Sequence, residues 1–282
     1  MELLFGADVV AAMNIKMKDE LVALNGYKPH LAIIRVGSRP DDIAYENGAV
    51  KRCDKIGLAC TLHQFDESIT YSEFKEAFLK INSDESIDGI LLLRPLPKHM
   101  DEKEITNLID PLKDVDGISP VNMAKVFQGD DSGYAPCTAE AVMEMLSYTK
   151  LDITGKRAVV VGRSMVIGKP VAMMLMKKNA TVTVCHTKTL DMEGTCSNAQ
   201  ILVAAAGKAK MINRNHVAQG AYVFDVGINV DADGRMYGDV DFEDIKDIEG
   251  VCTPVPKGVG TVTTSVLASH VIRAAKVKRG VK

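Results

Sequence analysis

The sequence predicts an α/β fold of two lobes, each with a parallel sheet covered by helices. Three observations carry this expectation. The chain has 282 residues, enough for about two domains of roughly 150 residues each. Short β-branched runs alternate with helical stretches through both halves, the pattern of strands joined by crossover helices. The run Gly89-Ile90-Leu91-Leu92-Leu93 is also nearly continuous in apolar residues, as a strand buried on both faces should be.

Residues 9–24 carry apolar side chains at spacings of three and four and read as a helix. Leu31-Ala32-Ile33-Ile34-Arg35-Val36, closed by Gly37, is a strand, and residues 41–56 form a helix ended by Gly57. Residues 59–65 read as a strand and 71–81 as a helix. Gly89-Ile90-Leu91-Leu92-Leu93 is a strand stopped by Pro95 and Pro97. The stretch 113–136, rich in Asp, Gly and Pro, reads as loop, and a helix over 138–148 leads out of the first lobe. Arg157-Ala158-Val159-Val160-Val161-Gly162 opens a second parallel unit. A helix at 170–178 follows, then strands at 181–185, 201–205 and 222–226, a loop over 252–261 and a final helix over 263–276.

Composition narrows the function. With 34 Lys and Arg against 37 Asp and Glu, the formal charge of −3 implies no broad basic surface for nucleic acid. The absence of Trp argues against an aromatic stacking platform for single strands. No segment approaches the ~20 apolar residues of a membrane helix, and the N-terminus lacks the basic residues of a signal peptide. The six cysteines show no CxxC pair and no His-linked spacing, so no metal site is expected and the thiols read as reduced. A cytoplasmic protein without membrane or nucleic-acid partners is the expectation.

Gly162-Arg163-Ser164-Met165-Val166-Ile167-Gly168-Lys169-Pro170 follows a strand and opens a helix. Glycines in such a turn let backbone approach a pyrophosphate, and the helix N-terminus offers N–H donors and a positive dipole. The spacing is not GxGxxG, so the fingerprint of a dinucleotide site is only partly met. The next strand ends Cys185-His186-Thr187-Lys188-Thr189, with no acid between Ala180 and Leu190 to bind a ribose 2′-hydroxyl. Arg163, Thr187 and Lys188 would instead attract a 2′-phosphate, which favours NADP over NAD.

At this turn the chain resembles the methylenetetrahydrofolate dehydrogenase/cyclohydrolase family. The resemblance extends to Lys113-Asp114-Val115-Asp116-Gly117, Pro136-Cys137-Thr138, Asp225-Val226-Gly227-Ile228-Asn229, Gly238-Asp239-Val240 and Thr253-Pro254-Val255-Pro256, in family order. It implies an α/β folate lobe (1–138 plus 263–282) and a Rossmann-like NADP lobe (139–262), with the folate site in the cleft between them and a homodimer. Gly162, Arg163, Ser164 and Gly168 would contact NADP, with Thr187 and Lys188 near the 2′-phosphate and Ile228 on the nicotinamide side. Asp116 matches the acid that binds the pterin, whose amide and amino group present two parallel N–H donors to one carboxylate. Tyr45 and Asp116 are the expected catalytic pair. Leu93, Pro256, Lys257 and Gly258 complete the expected folate-binding set.

The catalytic helix departs from the family pattern. Tyr-x-x-x-Lys would place a phenol and an amine one turn apart, but here Ala49 follows Tyr45 at the position of the Lys. Lys51 lies about 200° around the helix from position 49, and Arg52 stays protonated and cannot act as a base. Leu93 stands where the family has a Gln, Asp42 where it has a Ser, and Lys257 and Thr261 replace a Gly and a Pro. Hydride transfer needs mainly the placement of two bound molecules, whereas hydrolysis of the methenyl carbon needs proton transfers. The expectation is therefore a dehydrogenase with weak or absent cyclohydrolase activity. The alternatives are a bifunctional enzyme whose hydrolytic site is rebuilt by Lys257 or Arg94, and a catalytically lapsed folate or nucleotide sensor.

Overall fold

The computed structural model describes residues 1–281. The first half runs β1 (Glu2–Leu3), α1 (Gly6–Val22), β2 (His30–Val36), α2 (Pro40–Ile56), β3 (Ala59–Phe65), α3 (Tyr71–Ser83), β4 (Gly89–Leu92), α4 (Glu102–Leu108), α5 (Pro120–Gln128) and α6 (Cys137–Tyr148). The second runs β5 (Arg157–Val161), α7 (Gly168–Lys177), β6 (Thr181–Cys185), α8 (Met192–Cys196), β7 (Ile201–Ala204), β8 (Ala221–Asp225), β9 (Asn229–Val230), β10 (Met236–Tyr237), α9 (Phe242–Ile245), β11 (Gly250–Cys252) and α10 (Val259–Lys278). The chain divides into two compact units, 12–137 with 264–281 and 1–11 with 138–263.

The first unit holds a parallel three-stranded sheet in the order β3-β2-β4. An isolated parallel bridge from Ile90 to Asp114 extends it by one position. Ile34, Phe74, Phe78, Ile90 and Leu92 lie in its core, each almost wholly withdrawn from water. Local chemistry sets the helix ends. Pro40 begins α2 and Gly57 ends it at φ 94°, a left-handed value that glycine adopts without a Cβ clash. The side chains of Thr70 and Glu73 form a reciprocal capping box at the start of α3.

The second unit holds a parallel six-stranded sheet in the order β1-β11-β8-β7-β5-β6. From β5, second from one edge, the chain passes outward to the edge strand β6 and then returns across to β7 on the other side. That reversal is the switch point at which open parallel sheets bind ligands, beyond the carboxyl ends of the strands.

Two sequence expectations need correction. Residues 1–11, assigned above to the folate lobe, belong to the second unit. Glu2 and Leu3 pair in parallel with Val251 and Cys252, and the Met1 ammonium donates to the carbonyls of Lys246 and Ile248 at 2.6 and 2.7 Å. Strands this short carry no readable period. The stretch 113–136, expected as loop, contains α5. Ser119 caps it by accepting from the Asn122 N–H, Pro120 opens it, and Gly129 closes it at φ 71°. No described helix is long and apolar enough to cross a membrane.

Candidate active site

Each unit presents one group of the predicted residues at the carboxyl edge of its sheet. In the first unit, the motif Lys113-Asp114-Val115-Asp116-Gly117 can be explained residue by residue. Lys113 Nζ donates to the carbonyls of Asn82 and Asp84, both at 2.7 Å, at the carboxyl end of α3 where the helix dipole favours a cation. The wholly buried Asp114 carboxylate accepts from the N–H groups of Ile118 and Ser119 and from Asn122 Nδ2, at 2.8–2.9 Å. Those bonds fix the turn. Gly117 sits at φ 63°, and a Cβ there would lie 2.5 Å from the Tyr134 carbonyl oxygen. Val115 is buried, and Asp116 is left half-buried on the turn between them. Burial pushes the Asp116 carboxyl above the usual range. Bonds from Cys137 and the Arg94 charge oppose the shift, while Asp114 adds to it. A carboxylate held out of water in this way gains most from a ligand that offers paired N–H donors.

Tyr45 is half-buried on α2, and the buried face of that helix carries Asp42, Glu46, Ala49, Cys53 and Ile56. Ala49 is 1% exposed and Leu93 6%, so apolar atoms fill both positions. Lys51 is exposed, and Arg52 donates to Asn14 Oδ1 at 3.3 Å. Sequence reasoning missed the ion pair on this face. Arg35 Nε of β2 donates to Glu46 Oε2 at 2.9 Å, and Glu46 Oε1 accepts from Gln64 Nε2 at 2.8 Å. Arg35 also donates to the Gly37 carbonyl, tying the loop before α2 to the sheet. The available signal was an Arg inside an otherwise apolar strand. Asp42, also buried, is pushed up chiefly by burial and lies 3.8 Å from Arg39 Nε.

The second unit assembles the predicted cofactor residues at the switch point. Val161 lies opposite Cys185 on one side and Ala204 on the other, which brings Gly162, the 186–189 turn and Ala205 to one edge. Gly162 is at φ 131°, and a Cβ there would lie 2.1 Å from the Ala205 carbonyl oxygen. At Gly168 a Cβ would lie 2.2 Å from the Gly162 carbonyl oxygen. Only glycine lets this turn close onto the strand end and onto α7. Ser164 orders the turn, accepting from the Ile167 N–H through Oγ at 3.1 Å and from the Lys169 N–H through its carbonyl at 3.0 Å. No side chain caps α7. Its Lys169 N–H goes to the Ser164 carbonyl, its Val171 N–H goes to the Ile167 carbonyl, and Pro170 has none. It is the positive end of the helix dipole, rather than a row of free donors, that favours an anion here. His186 and Thr189 close a tight turn through two hydrogen bonds, and Thr187 and Lys188 stand exposed at its apex, as Arg163 does on its own turn. This glycine cradle with flanking cations fits a phosphorylated dinucleotide.

Ile228 is 64% exposed just beyond β8. Two buried carboxylates hold it there. Asp225 accepts from the N–H groups of Gly227, Asp239 and Val240. Burial pushes its pKa up to about 6 against the pull of those three donors. Asp239 accepts from the N–H groups of Ala206, Gly207 and Lys208 and from Asn229 Nδ2. A Cβ at Gly227 or Gly238 would strike one of these carboxylates. Pro256 and Lys257 are exposed and Gly258 is buried, all in this same unit. Lys257 holds φ 82°, and its carbonyl accepts from the Gly6 N–H at 2.8 Å.

Residues 4–116 match the tetrahydrofolate dehydrogenase/cyclohydrolase catalytic domain, and residues 136–279 match the NAD(P)-binding domain of the same enzymes. The chain belongs to the tetrahydrofolate dehydrogenase/cyclohydrolase family. The bifunctional protein FolD of Alkaliphilus oremlandii is 51% identical over 262 residues, 93% of this chain and 92% of that protein. The bifunctional FolD dehydrogenase/cyclohydrolase of Campylobacter jejuni superposes with a TM-score of 0.94 at 36% identity, covering 98% of this chain and 99% of that one. The Trypanosoma brucei methylenetetrahydrofolate dehydrogenase-cyclohydrolase, solved with NADP and an inhibitor, superposes with a TM-score of 0.91 at 32% identity, covering 99% and 98%. Family membership fits the two groups of residues, a half-buried acid in one unit and a glycine-bearing strand-to-helix turn in the other.

Proposed function

We propose that this chain interconverts 5,10-methylene- and 5,10-methenyltetrahydrofolate by hydride transfer with NADP. The observation that carries the proposal is the pairing of a half-buried Asp116 in one unit with the Gly162–Gly168 cradle in the other. Asp116 binds and orients the pterin through its N–H donors, and Tyr45 lines the folate side. Leu93, together with Pro256, Lys257 and Gly258, completes that binding set. Gly162, Arg163, Ser164 and Gly168 bind the pyrophosphate side of the cofactor, Thr187 and Lys188 hold the 2′-phosphate, and Ile228 borders the nicotinamide. When bound, NADP supplies the nicotinamide carbon that accepts the hydride. The chain's own contribution is placement and exclusion of water, which hydride transfer chiefly needs. Assembly as a homodimer is part of the proposal and rests on the family resemblance.

For the second reaction, the name bifunctional carried by the relatives favours a chain that also hydrolyses methenyltetrahydrofolate, above the expectation of weak hydrolysis. One observation supports that weaker reading: the buried methyl of Ala49, with apolar Leu93, stands where proton-transfer groups would be. Both rates measured on one preparation separate the two. Hydrolysis that keeps pace with NADPH formation establishes the bifunctional reading. Hydrolysis that lags far behind and appears in the Ala49→Lys, Leu93→Gln double variant establishes the other. Absence of NADPH formation with methylenetetrahydrofolate defeats the proposal as a whole and leaves the sensor.

The cofactor preference has its own test. Removing one exposed cation from the 2′-phosphate site with Lys188→Ala should raise KM for NADP⁺ about 5- to 10-fold. The weaker use of NAD⁺ should stay nearly constant. Equal effects on both cofactors would place Lys188 away from the 2′-phosphate.

A further inference from the structure

Packing does not hold Ile228 in place, because 64% of its surface is exposed. Its position is set by the residues on either side of it. Asn229 donates from Nδ2 to Asp239 Oδ1 at 3.0 Å and to the Tyr237 carbonyl at 3.4 Å. Gly227 approaches the same carboxylate so closely that a Cβ there would lie 2.2 Å from Oδ1. The wholly buried Asp239 therefore anchors the loop after β8.

The same carboxylate anchors the neighbouring loop after β7. Its Oδ2 accepts from the Ala206 and Gly207 N–H groups at 2.6 and 2.8 Å, and Oδ1 from the Lys208 N–H at 2.9 Å. Gly207 takes φ 66°, which turns three successive N–H groups toward one point and forms a cradle for negative charge. Ala205, just before this cradle, is the residue whose carbonyl meets Gly162. Asp239 thus stands between the loop bearing Ile228 and the wall of the glycine turn. Its own backbone is fixed by Asp225, which accepts from the Asp239 and Val240 N–H groups at 2.9 and 3.0 Å. The four donors to the Asp239 carboxylate are neutral, so its charge is satisfied only while all of them converge on it. Displacing either loop strands a charged oxygen away from water, which is costly. The two loops are therefore held in one shared geometry.

We propose that Asp239 is a positioning residue for hydride transfer: by clamping the loops after β7 and β8 together, it fixes where the nicotinamide lies relative to the glycine turn. The inference rests on the dinucleotide reading of this edge, in which Ile228 borders the nicotinamide. In that reading the phosphates are held elsewhere, at Gly162–Gly168 and at Thr187 and Lys188, so the clamp governs placement rather than affinity. Misplacing reacting atoms by about 1 Å can cost ~100-fold in rate. The test is Asp239→Asn, which keeps the shape but turns one acceptor into a donor facing N–H groups. Turnover is counted per NADPH-binding site, found by titration, so that unfolded chains do not enter it. The expected kcat is about 10- to 100-fold below that of the unaltered chain, with KM for NADP⁺ changed less than about threefold. Asn229→Ala cuts only the link to the Ile228 loop, and it answers the question if Asp239→Asn does not fold. It should lower kcat about 3- to 10-fold with the same split and a Tm near that of the parent. A lowered Tm with unchanged kcat per site makes Asp239 purely structural and overturns the proposal. A KM for NADP⁺ that rises as far as kcat falls makes it part of the binding surface and overturns the proposal too. Should the unaltered chain turn over no methylenetetrahydrofolate, the dehydrogenase reading fails, and the fluorescence anisotropy of bound NADPH decides the clamp. A looser nicotinamide in the variants at nearly equal affinity supports it; equal anisotropy, or no NADPH binding by the unaltered chain, overturns it.

Discussion

Glu46→Ala should destabilise the first unit by about 3–5 kcal/mol, the loss typical when one partner of a buried ion pair is removed. The Glu46 side chain is 4% exposed and that of Arg35 11%, and the truncation leaves the guanidinium in the core with only the Gly37 carbonyl to accept from it. Gln64 loses its acceptor at the same time. Denaturant unfolding should show a fall in midpoint with an unchanged slope, since the exposed surface is the same in both chains. Replacing both partners in Arg35→Leu, Glu46→Leu should recover most of the loss, because no charge is then stranded. A single variant as stable as the parent would mean that water reaches the pair. The same bonds tie α2 to β2, so the single variant should also disturb Tyr45 and lower kcat/KM for the folate more than for the cofactor.

The second large effect is expected at the cofactor turn. Gly162→Ala brings a Cβ to 2.1 Å from a backbone oxygen at a φ of 131°, so steric overlap and backbone strain act together. Each contributes about 1–3 kcal/mol, and neither can be relieved by turning a flexible side chain. The turn must open away from Ala205, which moves the Arg163 and Ser164 N–H groups and the start of α7. KM for NADP⁺ should rise at least tenfold, with a lowered Tm, while folate affinity measured without cofactor stays near that of the parent. Retention of normal cofactor affinity would show that the turn does not form the cradle. Gly168→Ala should behave similarly, because its Cβ would meet the Gly162 carbonyl at 2.2 Å.

Much of this architecture is legible in the residues. Strands such as 89–92 and 181–185 are continuous β-branched or apolar runs, and both are found where the pattern puts them. Helix α2 announces both its ends through Pro40 and Gly57. The cofactor turn is readable because glycine placement encodes a backbone approach, and the contacts of Gly162 and Gly168 show what each excludes. The elements that escaped detection are short or flanked by ambiguous sequence. Strands β1 and β11 have two and three residues and exist through pairing with distant backbone, and α5 is hidden among Asp and Gly residues although its cap signals are present.

The site divides along the same line. Sequence by itself determined the family and the parallel α/β character and singled out Asp116 and the glycine turn as candidates, because these depend on residue type at fixed local spacing. Tertiary structure decided that residues 1–11 join the cofactor unit, that Arg35 pairs with Glu46 behind the Tyr45 helix, and that Asp225 and Asp239 hold the loop bearing Ile228. Each of those depends on groups far apart in the chain meeting at one place. A burial cost is what selects such partners: a carboxylate or guanidinium withdrawn from water must find opposite charge or N–H donors wherever the fold brings them. Local spacing carries no record of that choice.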